Sequence, residues 1–158
     1  MKKSYKKGLS FGLTSAVITT MGLVVGLNSG TGSKLAIVSG ILIIALADTF
    51  SDSLGIHISE ESDKKNKSRH VWEATIITFL SKFLSTLTFV IPFLFFSLKT
   101  SSFISIAWGI ILLSVLSFQV GKQGKGNPYR VVGEHLLIAI IVIILSYLLG
   151  NIISKIIL

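Results

Sequence analysis

Three stretches of this chain carry no charged residue for twenty positions or more. No Asp, Glu, Lys or Arg falls between Lys7 and Lys34, between Lys99 and Lys122, or between Glu134 and Lys155. A bilayer core is spanned by about 20 consecutive apolar residues in a helix, and lipid forces every backbone polar group to be satisfied within the segment. Two further stretches, 35–59 and 71–98, are equally apolar except for Asp48 and Asp52 in the first and Glu73 and Lys82 in the second. With 51% hydrophobic residues, 14% charged residues and a mean hydropathy of +0.79, a soluble domain of 158 residues is excluded. The expected fold is an all-α integral membrane protein, one transmembrane domain over 1–158. Its five transmembrane helices are placed at about 9–28, 35–58, 71–97, 102–120 and 135–155. The basic start MKKSYKK resembles a signal-peptide n-region, but the apolar run behind it is too long and no A-x-A site follows. Helix 1 is therefore expected to stay in the protein.

The net charge of +8 raises the question of a nucleic-acid partner, and the placement of the basic residues answers it. With five spans, one side receives Lys2, Lys3, Lys6, Lys7, Lys64, Lys65, Lys67, Arg69, Lys122, Lys125 and Arg130. The other receives only Lys34, Lys99 and Lys155. Such an asymmetry orients the N-terminus to the cytoplasm and the C-terminus outside. Attraction to anionic headgroups accounts for the basic excess, so no nucleic acid is expected. The location implied is a prokaryotic cytoplasmic membrane. Cysteine is absent, which removes disulfides and thiolate metal sites and says nothing about compartment.

Helix 1 sets Gly8, Gly12, Ser15, Thr19, Gly22 and Gly26 at alternating spacings of four and three. A stripe of small residues lets another helix approach closely. It serves packing either within one subunit or across a dimer axis. Helix 5 repeats the device with Ser146, Gly150 and Ser154, and Pro92 is expected to kink helix 3.

Asp48 and Asp52 are the costly residues. Four positions apart on a helix means 40° of rotation, so both carboxylates share a face with Ser51, Gly55 and Ser59. A charge inside the membrane costs about 2.5–3.5 kcal/mol on insertion scales, and two like charges one turn apart also repel. Compensation comes from a proton, a basic side chain or a bound cation. Lys82 is the basic residue at matching depth, so an Asp48–Lys82 ion pair is expected, leaving Asp52 unmatched. Thr75, Thr78, Lys82 and Ser85 form a second polar stripe able to face the first. A cation or proton path and a purely structural bridge between helices 2 and 3 both fit.

At the inner mouth, His57, Glu60, Glu61 and Asp63 close helix 2, Glu73 opens helix 3, and Glu134 with His135 opens helix 5. Oxygen and imidazole ligands suit Mn²⁺ and Fe²⁺. Each of these residues singly is also a solvated helix end, and Glu73 and Glu134 lie favourably near helix N-termini.

Two stretches resemble the vacuolar iron transporter family, whose members move ferrous iron and manganese out of the cytosol. GLTSAVITTMGLVVGLNSGTGSKLAIVSGILIIALADTFSDSLGIHISEES is similar to that family's opening helix pair. GKQGKGNPYRVVGEHLLIAIIVIILSYLLGNII is similar to its ending, with a basic glycine loop, Pro128, Glu134, Tyr147 and Gly150. The resemblance implies five helices, a cytosolic N-terminus and a homodimer with the ion path between protomers. The chain departs from the family in three ways: Phe11 stands where SDGL would place an acid, Asp48 and Asp52 stand where the second helix has methionine and often glutamate, and the long cytosolic metal-binding insert that the plant members carry between helices 2 and 3 is absent, SEESDKKNKSRH standing in its place.

The function expected is a divalent-cation transporter exporting Fe²⁺ or Mn²⁺ with protons as counter-ion. Asp48 and Asp52 would bind the ion, with Glu73, Glu134 and Met21 as further metal candidates, Thr19 and Ser51 as auxiliaries, and Lys82 as the charge partner. His57, Glu60 and Glu61 would form the cytoplasmic mouth. The partners expected are the lipid bilayer, the transported ion and a second copy of the chain, with no permanently bound cofactor. The alternative is a non-transporting membrane subunit in which the charges only set helix packing. No enzymatic activity is expected: the D-x-x-x-D pair lacks the upstream acid of a CDP-alcohol phosphotransferase, since residues 20–44 contain none, and no hydrolytic triad, phosphate loop or H-E-x-x-H motif is present.

Overall fold

The computed structural model describes residues 3–124 and 127–157; Lys2 and Lys125 of the basic set, and the side chain of Lys3, lie outside the described part. Six helices follow one another: α1 (Lys3–Thr31), α2 (Lys34–Glu61), α3 (Ser68–Thr88), the short α4 (Ile91–Phe95), α5 (Leu98–Gln123) and α6 (Pro128–Ile157). Counting α3 with α4 as one span, five are long and apolar enough to cross a membrane. The protein is an all-helical integral membrane protein.

The helices run past the apolar spans expected for them, α1 beginning at Lys3 and α6 at Pro128. A charge ends the stretch that prefers hydrocarbon, but it does not end the i→i−4 hydrogen-bonding pattern. Helix 3 differs in kind. Instead of one helix over 71–97, the chain breaks at Phe89 and Val90, whose N–H groups turn back to Thr86 O and Leu87 O at 3.1 Å in tighter i→i−3 bonds. Pro92 causes this three residues early, because its ring clashes with the carbonyl four positions before it and offers no N–H. Ser101 on α5 donates its hydroxyl to Pro92 O at 2.9 Å and Phe96 O at 3.2 Å, pinning the break to the next helix.

At the other side α1 and α2 are joined by a turn of two residues. Gly32 has φ +57, the left-handed conformation that a side chain disfavours, and Ser33 caps α2 by accepting from Ala36 N at 3.2 Å.

Helix α1 is the most buried span and α6 the least, so α1 is the post on which the bundle assembles. It packs against α2, α3, α5 and α6, while α2 pairs with α3 and α5 with α6. The glycine stripe explains how. A Cβ on Gly8 would meet Ala74 O at 2.6 Å, and one on Gly12 would meet Thr78 O at 2.7 Å, so the N-terminal half of the stripe seats α3. A Cβ on Gly22 would meet Val142 at 2.9 Å, and Gly26 and Gly30 lie against Ser146 and Gly150, so the C-terminal half seats α6. The stripe is used for packing within the subunit and is not open to a dimer axis. Helix α5 buries a comparable row, Ser101, Ser105, Gly109, Leu113, Ser117 and Gly121, spaced by four.

Above the charged residues the bundle is filled by Val17, Met21, Val24, Ile37, Ile41, Phe89 and Phe93. Large apolar side chains cover the outside, as on α6 where Ile140, Ile144, Leu148 and Ile152 are exposed to the lipid. Where a glycine touches nothing, packing places no demand on it. A Cβ on Gly133 meets no atom within 4 Å, so Gly133→Ala is expected to raise stability by about 0.5–1 kcal/mol through the helix propensity of alanine, measurable by thermal unfolding in detergent.

Candidate functional site

Helices α1, α2 and α3 meet about one residue. The Lys82 side chain is 2% exposed, and its Nζ lies 2.5 Å from Asp48 Oδ2 and 2.5 Å from Asp52 Oδ2. It also donates to Ser15 Oγ at 3.0 Å, and that hydroxyl donates its own proton to Asp52 Oδ2 at 2.6 Å. The ammonium therefore spends its three protons on three oxygens from two helices. Asp52 is not unmatched, contrary to the expectation from depth alone: one flexible ammonium reaches between carboxylates on consecutive turns of α2 and serves both. Ser15 is the member of this cluster that sequence reasoning assigned only to the packing stripe.

The local reasons are visible in each helix. Thr78, Lys82 and Ser85 fall on the buried side of α3 at spacings of four and three, turned toward α1 and α2. Gly8 and Gly12 carry no side chain, so α1 comes close enough for Ser15, one turn beyond Gly12, to touch the ammonium. On α2 the buried row is Ala45, Thr49, Ser53 and Ile56, and the two aspartates flank it with side chains 32% and 22% exposed. The carboxylates thus have one edge in the bundle and one edge on its outer surface. Beside that outer edge α2 presents Ala47, Ser51, Gly55 and Ser59, all small and all exposed. The cluster sets two acidic side chains against one basic side chain within a membrane span.

The remaining candidates lie elsewhere. Glu73 accepts from Ser4 Oγ at 3.3 Å near the start of α1, about 13 Å along α3 from Lys82. Glu60, only 6% exposed, is held by Lys7 and by Asn66, whose Nδ2 lies 3.0 Å from both Glu60 O and Glu60 Oε2. These groups line a polar cavity of about 250 Å³ with Asp63 and His70. The Lys7–Glu60 ion pair therefore ties the start of α1 to the end of α2. Glu61 is exposed. His57 bonds Thr75 on the lipid side of α2 and α3. Glu134 pairs with Arg130 one turn back on α6, both largely exposed, and His135 bonds Ser117 at 2.7 Å. Met21 is 1% exposed in the apolar core and packs on Gly109, so its sulfur fills space between α1 and α5. Ser51 is exposed and Thr19 half-buried. Among the described residues, no three His, Cys, Asp or Glu side chains come together in a way that could hold a metal. The arrangement brings together Asp48, Asp52, Lys82 and Ser15, and leaves Glu73, Glu134, Met21 and the mouth residues apart.

No protein-family model matches the chain, and no curated protein matches it.

Proposed function

We propose that this membrane protein transports divalent cations, carrying Fe²⁺ or Mn²⁺ out of the cytoplasm in exchange for protons. Asp48 and Asp52 are the ion-binding carboxylates, and Lys82 holds the site between ions. The observation that carries this reading is the convergence of two carboxylates and one buried ammonium inside a membrane span. One ammonium balances one carboxylate, and the second charge requires another positive species to visit. A dication brings two positive charges to two carboxylates, and carboxylate and hydroxyl oxygens are suitable ligands for Mn²⁺ and Fe²⁺. Ser15 supplies a third oxygen within reach of Asp52.

The outward edges of Asp48 and Asp52 give the ion a way in. A second copy of the chain laid on Ala47, Ser51 and Gly55 encloses those edges, placing the path between two protomers and completing a ligand set that one subunit lacks. The resemblance of residues 12–62 and 121–153 to the vacuolar iron transporter family supports the same reading. In the transport step the entering ion displaces the Lys82 ammonium from Asp48, and the lysine returns when the ion leaves.

Flux into proteoliposomes tests this. The parent is expected to move Mn²⁺ and Fe²⁺ down a gradient, and Asp48→Asn and Asp52→Asn to fall to the level of protein-free vesicles while keeping the parent's helical content. Undiminished flux in both variants removes the carboxylates from the path.

One observation favours the alternative, a subunit without transport activity: Lys82 already satisfies both carboxylates inside one protomer. That reading predicts that Lys82→Met combined with Asp48→Leu folds and leaves cells indifferent to metal load. Loss of metal tolerance in a well-folded double variant counts against it.

A further inference from the structure

On the lipid-facing side of α2 and α3 runs a groove of about 430 Å³ lined by Phe50, Leu54, His57, Trp72, Ile76 and Phe79. Phe50 and Phe79 meet edge to face across it, with centroids 4.9 Å apart. The walls are apolar along most of its length, and polar groups gather at the end nearest the α2–α3 loop. There the His57 ring stands edge to face on Trp72 at 4.7 Å, and His57 Nδ1 lies 3.0 Å from Thr75 Oγ1. Thr75 has one hydroxyl proton and donates it to Val71 O at 2.8 Å, so the hydroxyl accepts and His57 donates from Nδ1.

Beyond this end the chain becomes basic. Arg69 stands three residues before Trp72 and seven before Ile76, on the same face of α3. It is exposed, and among the described residues no hydrogen bond or ion pair engages its guanidinium. Lys64, Lys65 and Lys67 are exposed in the adjoining segment and outnumber its acids, Glu61 and Asp63. An apolar slot that opens to the membrane, an aromatic and an imidazole at its rim, and an unpaired guanidinium one turn beyond follow the order of parts in a phospholipid.

We propose that this groove binds one anionic phospholipid. An acyl chain lies along Phe50, Leu54, Ile76 and Phe79, the ester region meets Trp72 and His57, and Arg69 takes the phosphate. Trp at the headgroup level and basic side chains beside an anionic leaflet are the recurrent parts of such contacts. A second copy of the chain is a poor occupant, because a two-fold interface centred here sets Arg69 against its own equivalent. The inference does not depend on the transport reading.

Bound lipid can be counted directly. The full chain is reconstituted in vesicles of equal phosphatidylglycerol and phosphatidylethanolamine, extracted in mild detergent, and its retained phospholipid quantified by mass spectrometry. The parent is expected to retain phosphatidylglycerol in excess by about fivefold, the factor that one basic side chain contributes near an anionic headgroup. Arg69→Gln, a surface change, is expected to retain lipid without that preference. Ile76→Trp, which fills the slot at a half-exposed position, is expected to lose the retained lipid altogether. Equal retention of both lipids by the parent, or retention unaltered in both variants, overturns the proposal. So does disulfide cross-linking of Ile76→Cys, on the α3 wall away from the Ala47–Gly55 face of α2, between two copies in the vesicle, which would make the groove a protein interface.

Discussion

Lys82→Met is expected to lower stability by about 3–5 kcal/mol, the range found when one partner of a buried ion pair is removed. The side chain is 2% exposed and is the shared partner of Asp48, Asp52 and Ser15. Each carboxylate oxygen lies 2.5 Å from Nζ, so the two are at most about 5 Å apart once the ammonium is gone. At an effective dielectric of about 20, two unit charges at that separation repel by about 3 kcal/mol. Repulsion alone therefore reaches the lower end of the range, before any cost of leaving Asp52 with Ser15 as its remaining donor. Methionine fills much of the lysine's volume, so the loss reports charge more than packing. Thermal unfolding in detergent of Lys82→Met, Lys82→Arg and the triple variant Lys82→Met/Asp48→Asn/Asp52→Asn separates these contributions. Lys82→Arg is expected to stay close to the parent, and the triple variant to recover most of the loss because no charge remains to be paired. If Lys82→Met unfolds with the parent, the carboxylates are neutral or solvated and the cluster exerts no control over the fold.

The second large effect is steric. Gly12→Val is expected to destabilise by about 1–3 kcal/mol or more, as overpacking of a close contact does. A Cβ at position 12 meets Thr78 O at 2.7 Å and Lys82 N at 3.3 Å, and both are backbone atoms of α3 that cannot rotate away. Helices α1 and α3 must part, and Ser15, one turn further along α1, is carried off the ammonium. The consequence is testable as a coupling: Ser15→Ala is expected to cost less in the Gly12→Val background than in the parent, because the hydroxyl contacts are already weakened. Additive effects of the two substitutions would mean that α1 moves without disturbing the cluster. Gly133→Ala, at a position where a Cβ meets nothing, is the control for replacing a helical glycine.

These cases show where sequence reasoning reached and where it stopped. Depth along a helix follows from residue count at 1.5 Å per residue, and this placed Lys82 level with Asp48. Depth does not say how far a flexible four-carbon stem can swing between two turns of a neighbour, and so it misses the partner that Asp52 has. By size Ser15 is one of six small residues in a stripe, yet its hydroxyl both accepts from Lys82 and donates to Asp52. The α5 row from Ser101 to Gly121 repeats every four residues and was open to the same reading as the α1 stripe. Glu73, Glu134 and the residues that close α2 share one end of the molecule, but a common end spans several helix diameters, and the fold places them on separate partners.

The amino-acid sequence by itself determined the number and approximate length of the membrane spans, the polar face of α2 and the cost of the charges within it. All of these depend on one segment at a time, through transfer free energy and helical periodicity. Only the tertiary structure decided that α1 is the central post, that its glycines seat α3 below and α6 above, and that one ammonium joins two carboxylates and a serine. Those outcomes depend on which helix lies beside which and on rotation about each axis, and these are settled by contacts between residues 30 to 70 positions apart, as in Lys82 with Asp52 and with Ser15.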